Sequence, residues 1–134
     1  MLTPRELASQ VVEKLKGLIG AEDYARDAGR ILFAVAVDGI ECWLLPLVFA
    51  TNMAVHAAGT TGCLNTMNRE LLKKNLSPLS NADGTGKNLS VYRSVSEAYA
   101  RRNRLFAHAE RNPSLHVFVE QVEAIRLREK PAAD

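Results

Sequence analysis

The sequence predicts an all-α fold, on the basis of its composition, its helix caps and the spacing of its apolar residues. Hydrophobic residues make up 47% of the 134 residues, whereas aromatic residues make up only 6%. This balance favours helices over a β-sandwich. The length suits one domain that buries its own core. We therefore expect a single helical domain over residues 1–134, built as a bundle of five to six helices.

The first helix is marked at both ends. Thr3, Pro4 and Glu6 predict a capping box with proline at the first helical position. Apolar residues then recur at helical spacing until glycine at position 20 weakens the helix. We expect this helix to end near Ile19.

A second helix is predicted over residues 21–45, because its polar face is thin. Residues 31–50 carry only two charged side chains, Asp38 and Glu41. That window has the length of a membrane span, but each mid-span carboxylate would cost roughly 2.5 to 3.5 kcal/mol. The sequence therefore favours a central helix that is buried on most sides or lies at a dimer interface, with no membrane partner.

The middle of the chain is less well defined. Helical spacing resumes after Pro46, and residues 47–74 form either one bent helix or two short ones. Residues 75–89 are rich in Ser, Asn, Gly and Pro, which predicts a mobile loop. Residues 84–87 within it, Gly-Thr-Gly-Lys, do not match a phosphate-binding loop, since no strand precedes them and Asn88 stands where a magnesium-binding hydroxyl belongs.

Two further helices are predicted at the carboxyl-terminal end. Ser90 and a capping box over residues 94–97 begin a helix that ends near Glu110. Asn112 followed by proline predicts the cap of the last helix, which fades into a frayed tail at residues 131–134.

The cysteines and histidines predict neither a metal site nor a cofactor. Cys42 and Cys63 are expected to be reduced thiols, because the first residues do not form a secretory signal and a cytoplasmic location is indicated. His56 and His116 are interpreted as structural or solvated, since no histidine has ligand spacing with another histidine or with a cysteine.

Chemistry-bearing side chains concentrate in residues 100–110. The chain has a net charge of +2, but residues 90–112 alone carry five arginines against two glutamates. Arginine binds phosphate with two hydrogen bonds, and histidine transfers protons near neutral pH. With a ribose 2′-hydroxyl as nucleophile, such groups can cleave RNA without a metal ion.

Arg102, Asn103 and His108 also carry a resemblance. Arginine, a polar follower and a histidine after five intervening residues resemble the signature of the HEPN superfamily (higher eukaryote and prokaryote nucleotide-binding), in the form found in small abortive-infection and toxin-like members. The resemblance implies an up-and-down helical fold, a homodimer and metal-independent endoribonuclease activity in a toxin or phage-defence context. It also implies RNA as substrate, and an antitoxin or nucleotidyltransferase as partner.

The resemblance assigns Arg102 and His108 as the catalytic pair, supported by Asn103. Around that pair, the side chains expected to bind substrate are Arg101, Arg104 and Glu110. On a straight helix the pair would lie about 120° and about 9 Å apart, so a dimer partner or a local distortion is needed to bring both to one phosphate.

Two alternatives remain open. One is a non-catalytic module of the same fold that binds a nucleotide, RNA or a protein partner. The other is an unrelated oligomeric bundle, in which Arg102 pairs for structure with Glu97, Glu110, Asp38 or Glu41, and the neighbouring arginines form a solvated face.

Overall fold

The computed structural model describes residues 1–49 and 62–129, and these residues are helical without a β-strand. They contain seven α-helices, against the five to six that were expected: α1 (Pro4–Ile19), α2 (Ala21–Asp27), α3 (Glu41–Val48), α4 (Cys63–Lys73), α5 (Leu89–Ser96), α6 (Arg102–Ala109) and α7 (Pro113–Glu129). The predictions for His56 and for the 131–134 tail lie outside the described residues. None of the described helices combines the length and apolar character that a bilayer span requires.

Helix α1 confirms the first predicted element. The Glu6 backbone donates to the Thr3 hydroxyl at 3.2 Å, and the Thr3 backbone donates to the Glu6 carboxylate at 2.7 Å. These reciprocal bonds satisfy backbone donors that a helix start leaves without partners. The helix ends at Ile19 as predicted, and Gly20 follows with φ 98°.

The predicted helix over residues 21–45 is wrong, because residues 31–40 separate α2 from α3 without forming a helix. A short 3₁₀ turn, Ala28–Arg30, ends the first part. The amide and carbonyl groups of Phe33 bond instead to the Gln121 side chain of α7, at 3.1 and 3.2 Å. A distant side chain therefore satisfies the two backbone groups that Phe33 would otherwise pair within a helix.

Residues 47–74 are not one continuous helix. Phe49 is extended after α3, and Gly62 adopts φ 76° just before α4. The starts of α3 and α4 meet, and Cys42 and Cys63 form a disulfide there with a Cα–Cα distance of 5.1 Å. The prediction of two reduced thiols is therefore wrong, since sequence spacing does not reveal that these helix starts converge.

Helix α3 lies at the centre of the described fold. Its residues 41–46 are all buried. Cys42, Leu44 and Leu45 pack into one apolar cluster, mainly with residues of α4. Trp43 enters a second cluster, where its ring stacks on Phe118 at 5.5 Å. One short helix thus contributes to both cores.

A buried asparagine supplies the hydrogen bond that the proline inside α3 cannot donate. Pro46 has no N–H to donate to the carbonyl of Cys42, four residues earlier. The Asn112 amide donates to that carbonyl at 2.9 Å. The Asn112 side-chain oxygen also accepts the Leu115 N–H at 3.1 Å, which confirms the predicted cap of α7. Asn112 therefore bonds to the Cys42 carbonyl of α3 and also caps the start of α7.

The predicted loop after α4 is anchored at its centre. Leu79 is fully buried, and the Asn68 side chain accepts its N–H at 2.8 Å while donating to the Ser80 carbonyl at 3.0 Å. The loop ends at Asn88, which caps α5 through the Val91 N–H, so the cap lies two residues before the Ser90 that was predicted.

Candidate nucleic-acid interface

The helix expected from Ser90 to Glu110 is broken just before the motif. Helix α5 gives way to a 3₁₀ turn, Glu97–Ala100, and Arg101 is extended with φ −95° and ψ 117°. Helix α6 then starts at Arg102. The expectation of one continuous helix is therefore wrong, and the motif arginine occupies the first turn of a short, separate helix.

Three exposed arginines lie along one surface beside this break. Arg101 and Arg104 line a shallow cleft of about 550 Å³ with Ser94 and Glu97. Arg93 lines the adjoining cleft, and Ser94, Glu97 and Ala100 belong to both. We call the surface formed by Arg93, Arg101 and Arg104 the arginine edge.

The positive charge of the arginine edge is not neutralised by ion pairs within the described residues. Within residues 1–49 and 62–129, no carboxylate forms an ion pair with Arg93, Arg101 or Arg104. Glu97 is the acidic side chain that shares the two clefts with them. Since three cations face one anion, the surface attracts phosphate groups more strongly than the near-neutral chain as a whole.

Arg102 is not part of this edge. Its guanidinium pairs with Glu123 of α7 at 2.7 Å and lies over the Phe106 ring at 4.7 Å. None of the four carboxylates proposed from the sequence is that partner. Glu123 also pairs with Arg126. Hydrogen bonds from Arg126, which is the larger cause, and from Arg102 lower the pKa of Glu123 to about 2. Arg102 therefore stays largely exposed and shares one carboxylate with Arg126.

Below Arg102 lies an apolar groove of about 450 Å³. Its walls include Trp43, Leu105, Phe106 and Phe118, while Arg102, Glu123 and Arg126 lie among its few charged residues. The Arg102 guanidinium lies at the rim of this groove, over the Phe106 ring and paired with Glu123.

His108 faces the interior side of α6. Its ring packs edge-on against Tyr99 at 6.1 Å, and its Nδ1 atom is buried without a hydrogen-bond partner among the described residues. Burial lowers the pKa of His108, and the charges of Arg111 and Arg104 lower it further, whereas the Pro46 carbonyl raises it. The imidazole is therefore predominantly neutral at neutral pH.

The predicted site residues divide into separate groups. Arg101 and Arg104 share one cleft, and Arg104 also acts electrostatically on His108. Arg102 contacts Glu123 rather than His108. Asn103 is exposed on the first turn of α6, and Glu110 is exposed just after its last residue. Within one copy of the chain, Arg102 and His108 thus do not contact each other.

Two contributors to this surface were missed from the sequence. Arg93 was counted as local charge but not assigned to the site, although its position in the sequence would place it within about 80° of both Arg101 and Arg104 around a helix. Glu123 was missed as the partner of Arg102, although its spacing of three residues from Arg126 is a helical ion-pair signal.

Comparison with known proteins gives no assignment. The chain shows no significant match to a protein-family model, to a curated protein or to a solved structure.

Proposed function

We propose that this chain is a cytoplasmic RNA-binding helical module of HEPN-like, up-and-down type, which holds the phosphate backbone on its arginine edge. The observation that carries the proposal is that Arg93, Arg101 and Arg104 line adjoining clefts and form no ion pair with any described carboxylate. Arginine presents a planar fork of donors that suits phosphate oxygens. Exposed and unpaired arginines retain that capacity, whereas Arg102 and Arg126 use theirs on Glu123.

The surroundings of the arginine edge favour a single-stranded ligand. The Ser94 hydroxyl lines both clefts and supplies an additional donor for phosphate or ribose, whereas the Ser90 and Ser96 hydroxyls already donate to the Asn88 side chain and the Arg93 carbonyl. The clefts are shallow, so they accommodate an extended backbone rather than enclosing a single nucleotide. Asn103, exposed beside Arg104, adds an amide that can bond to a base edge.

The test measures binding of a labelled single-stranded RNA by fluorescence anisotropy. We expect Arg101→Ala/Arg104→Ala to weaken binding about 25-fold at roughly 0.1 M salt, because each lost phosphate contact removes about 0.7 from the salt exponent. The matched control is Arg5→Ala/Arg26→Ala, which removes the same charge from exposed, ion-paired positions on α1 and α2. Equal affinity of the two double variants would overturn the proposal.

A second candidate is the endoribonuclease that the motif implies. It is favoured by the neutral His108, because a histidine of lowered pKa is ready to accept the proton of a 2′-hydroxyl. Arg102 would stabilise the charge that develops on the phosphate. Since these two side chains have different neighbours in one chain, we propose that cleavage takes place in a homodimer, in which Arg102 of one copy complements His108 of the other.

Cleavage has a test that is independent of binding. RNA incubated with the protein in excess chelator is expected to yield fragments that end in a cyclic phosphate, and a single 2′-deoxy substitution should protect the bond that follows it. His108→Ala should abolish the fragments while His116→Ala retains them. If the wild-type protein binds RNA but leaves it intact, the non-catalytic module is the correct function. A toxin or defence role, with an antitoxin or nucleotidyltransferase as partner, belongs to the catalytic form.

A further inference from the structure

Three potential metal ligands lie together where α3 and α4 begin. Cys42 is the second residue of α3, Cys63 is the first residue of α4, and Asp38 stands just before α3. One ligand atom from each residue lies within 4.8 Å of the other two. This cluster is separate from the arginine edge, and RNA binding does not use it.

The carboxylate of Asp38 is held in place by the backbone. Asp38 adopts φ 71°, a left-handed conformation that is uncommon for residues other than glycine. Its Oδ2 atom accepts the Cys63 N–H at 3.2 Å and lies 3.7 Å from the Cys42 sulfur. This oxygen therefore points at both cysteines before any metal is bound.

These distances fit a tetrahedral zinc ion. Zinc binds sulfur at about 2.3 Å and carboxylate oxygen at about 2.0 to 2.2 Å, so two such ligands lie about 3.6 Å apart. The observed 3.7 Å between Asp38 Oδ2 and the Cys42 sulfur matches that spacing. The sulfur atoms must separate, which side-chain rotation allows because the cysteine backbones are already adjacent, with Cα atoms 5.1 Å apart.

We propose that Asp38, Cys42 and Cys63 form a zinc site that becomes available when the Cys42–Cys63 disulfide is reduced. A dithiol or phosphine reductant supplies two electrons and is itself oxidised, the S–S bond breaks, and each sulfur takes up one proton. Zinc then replaces both protons, which pass to solvent, and forms two Zn–S bonds and one bond to the Asp38 carboxylate. Water completes the fourth position, since Asp38 is exposed.

The ligand atoms and their surroundings determine which metal ions the site would bind. Two thiolates favour zinc, cadmium or cobalt over magnesium and calcium, which prefer oxygen ligands. Both cysteines are buried in the cluster that contains Leu45, Met67 and Leu71, so water has access from the Asp38 side. The ion would join the starts of α3 and α4 in the reduced protein, as the disulfide does in the oxidised one.

The experiment uses cobalt as a spectroscopic substitute for zinc. The full chain is reduced with a phosphine, which does not compete as a thiol ligand, and titrated with Co²⁺. We expect sulfur-to-cobalt charge-transfer absorption and the visible bands of a tetrahedral ion, saturating at one ion per chain and bleached by Zn²⁺. Protein kept oxidised should show neither.

Variants assign the ligands. Cys63→Ser should remove the charge-transfer absorption, and Asp38→Asn should weaken cobalt binding at least tenfold while Asp23→Asn, on exposed α2, leaves it unchanged. Circular dichroism checks that the reduced chain is folded. If reduction alone unfolds it, zinc added at equimolar amount should restore the helical signal. Absence of cobalt binding to folded reduced protein, failure of zinc to restore an unfolded one, or full binding by Cys63→Ser would overturn the proposal.

Discussion

Helices α3 and α6 have the same length, eight residues, and opposite environments. In α3, six consecutive residues are buried, including a glutamate and a proline. In α6, Ala109 alone is buried, and its first three residues are exposed. The two helices nevertheless contact each other, since α6 packs against α3 through the cluster around Trp43.

This difference indicates that α3 stabilises the fold, whereas α6 presents an exposed surface. The side chains of helix α3 fill two cores. Its buried carboxylate has polar partners, because Glu41 accepts the Tyr92 hydroxyl and pairs with Lys87. Helix α6 is held by one face and leaves the opposite face for solvent. A binding surface can change there without loss of the fold, because substitutions of exposed side chains seldom alter stability by more than about 0.5 kcal/mol.

The largest expected effect comes from Trp43→Ala in α3. The substitution removes the ring that stacks on Phe118 and donates to the Ser114 hydroxyl at 2.8 Å. We expect the free energy of unfolding to fall by about 4 kcal/mol in urea denaturation, the usual cost of removing a buried tryptophan. Phe106→Ala in α6, where the ring is half-buried, should cost about half as much. Equal losses would contradict the contrast between the helices.

Asn112→Ala should give the next largest effect. It leaves the Cys42 carbonyl without the donor that replaces the missing N–H of Pro46, and it removes the cap of α7. Together these losses are expected to destabilise the fold by about 3 kcal/mol. The matched control is Asn103→Ala, on the exposed face of α6, which should change the midpoint little. A small effect at Asn112 would show that water can replace its hydrogen bonds.

A smaller effect is expected from the titration of His108. Its folded-state pKa lies below the unfolded value of about 6.5, so the unfolded chain binds more protons below neutral pH. Stability should therefore rise between about pH 5.5 and about pH 7.5 and level off above. His108→Gln should reduce that rise, whereas His116→Gln, at a half-buried position beside Glu120, should retain it. Urea denaturation at the two pH values measures both.

Local signals predicted both ends of α1 and the start of α7. The reciprocal bonds of Thr3 and Glu6 and the cap formed by Asn112 involve residues no more than three apart, so the sequence carries all the information needed. The all-helical class follows from the same signals. Arg101 and Arg104 were also assigned to the site from their clustering, whereas Arg93 and the break at Arg101 were not predicted.

Long-range contacts account for the errors. Residues 31–40 form no helix, and Phe33 within them bonds through its backbone to Gln121, 88 residues away. The disulfide joins cysteines 21 residues apart, and Arg102 pairs with a glutamate that is also 21 residues away. Neither periodicity nor charge counting contains these pairings, since they depend on how α3, α4, α6 and α7 pack.

The salt dependence of RNA binding tests the central claim most directly. A plot of the logarithm of the binding constant against the logarithm of salt concentration has a slope of about −0.7 for each phosphate contact with a single strand. We predict that Arg101→Ala/Arg104→Ala flattens the wild-type slope by about 1.4, while Arg5→Ala/Arg26→Ala leaves it unchanged. A slope that is the same for the wild type and both variants would contradict the assignment of the arginine edge as the phosphate-binding surface.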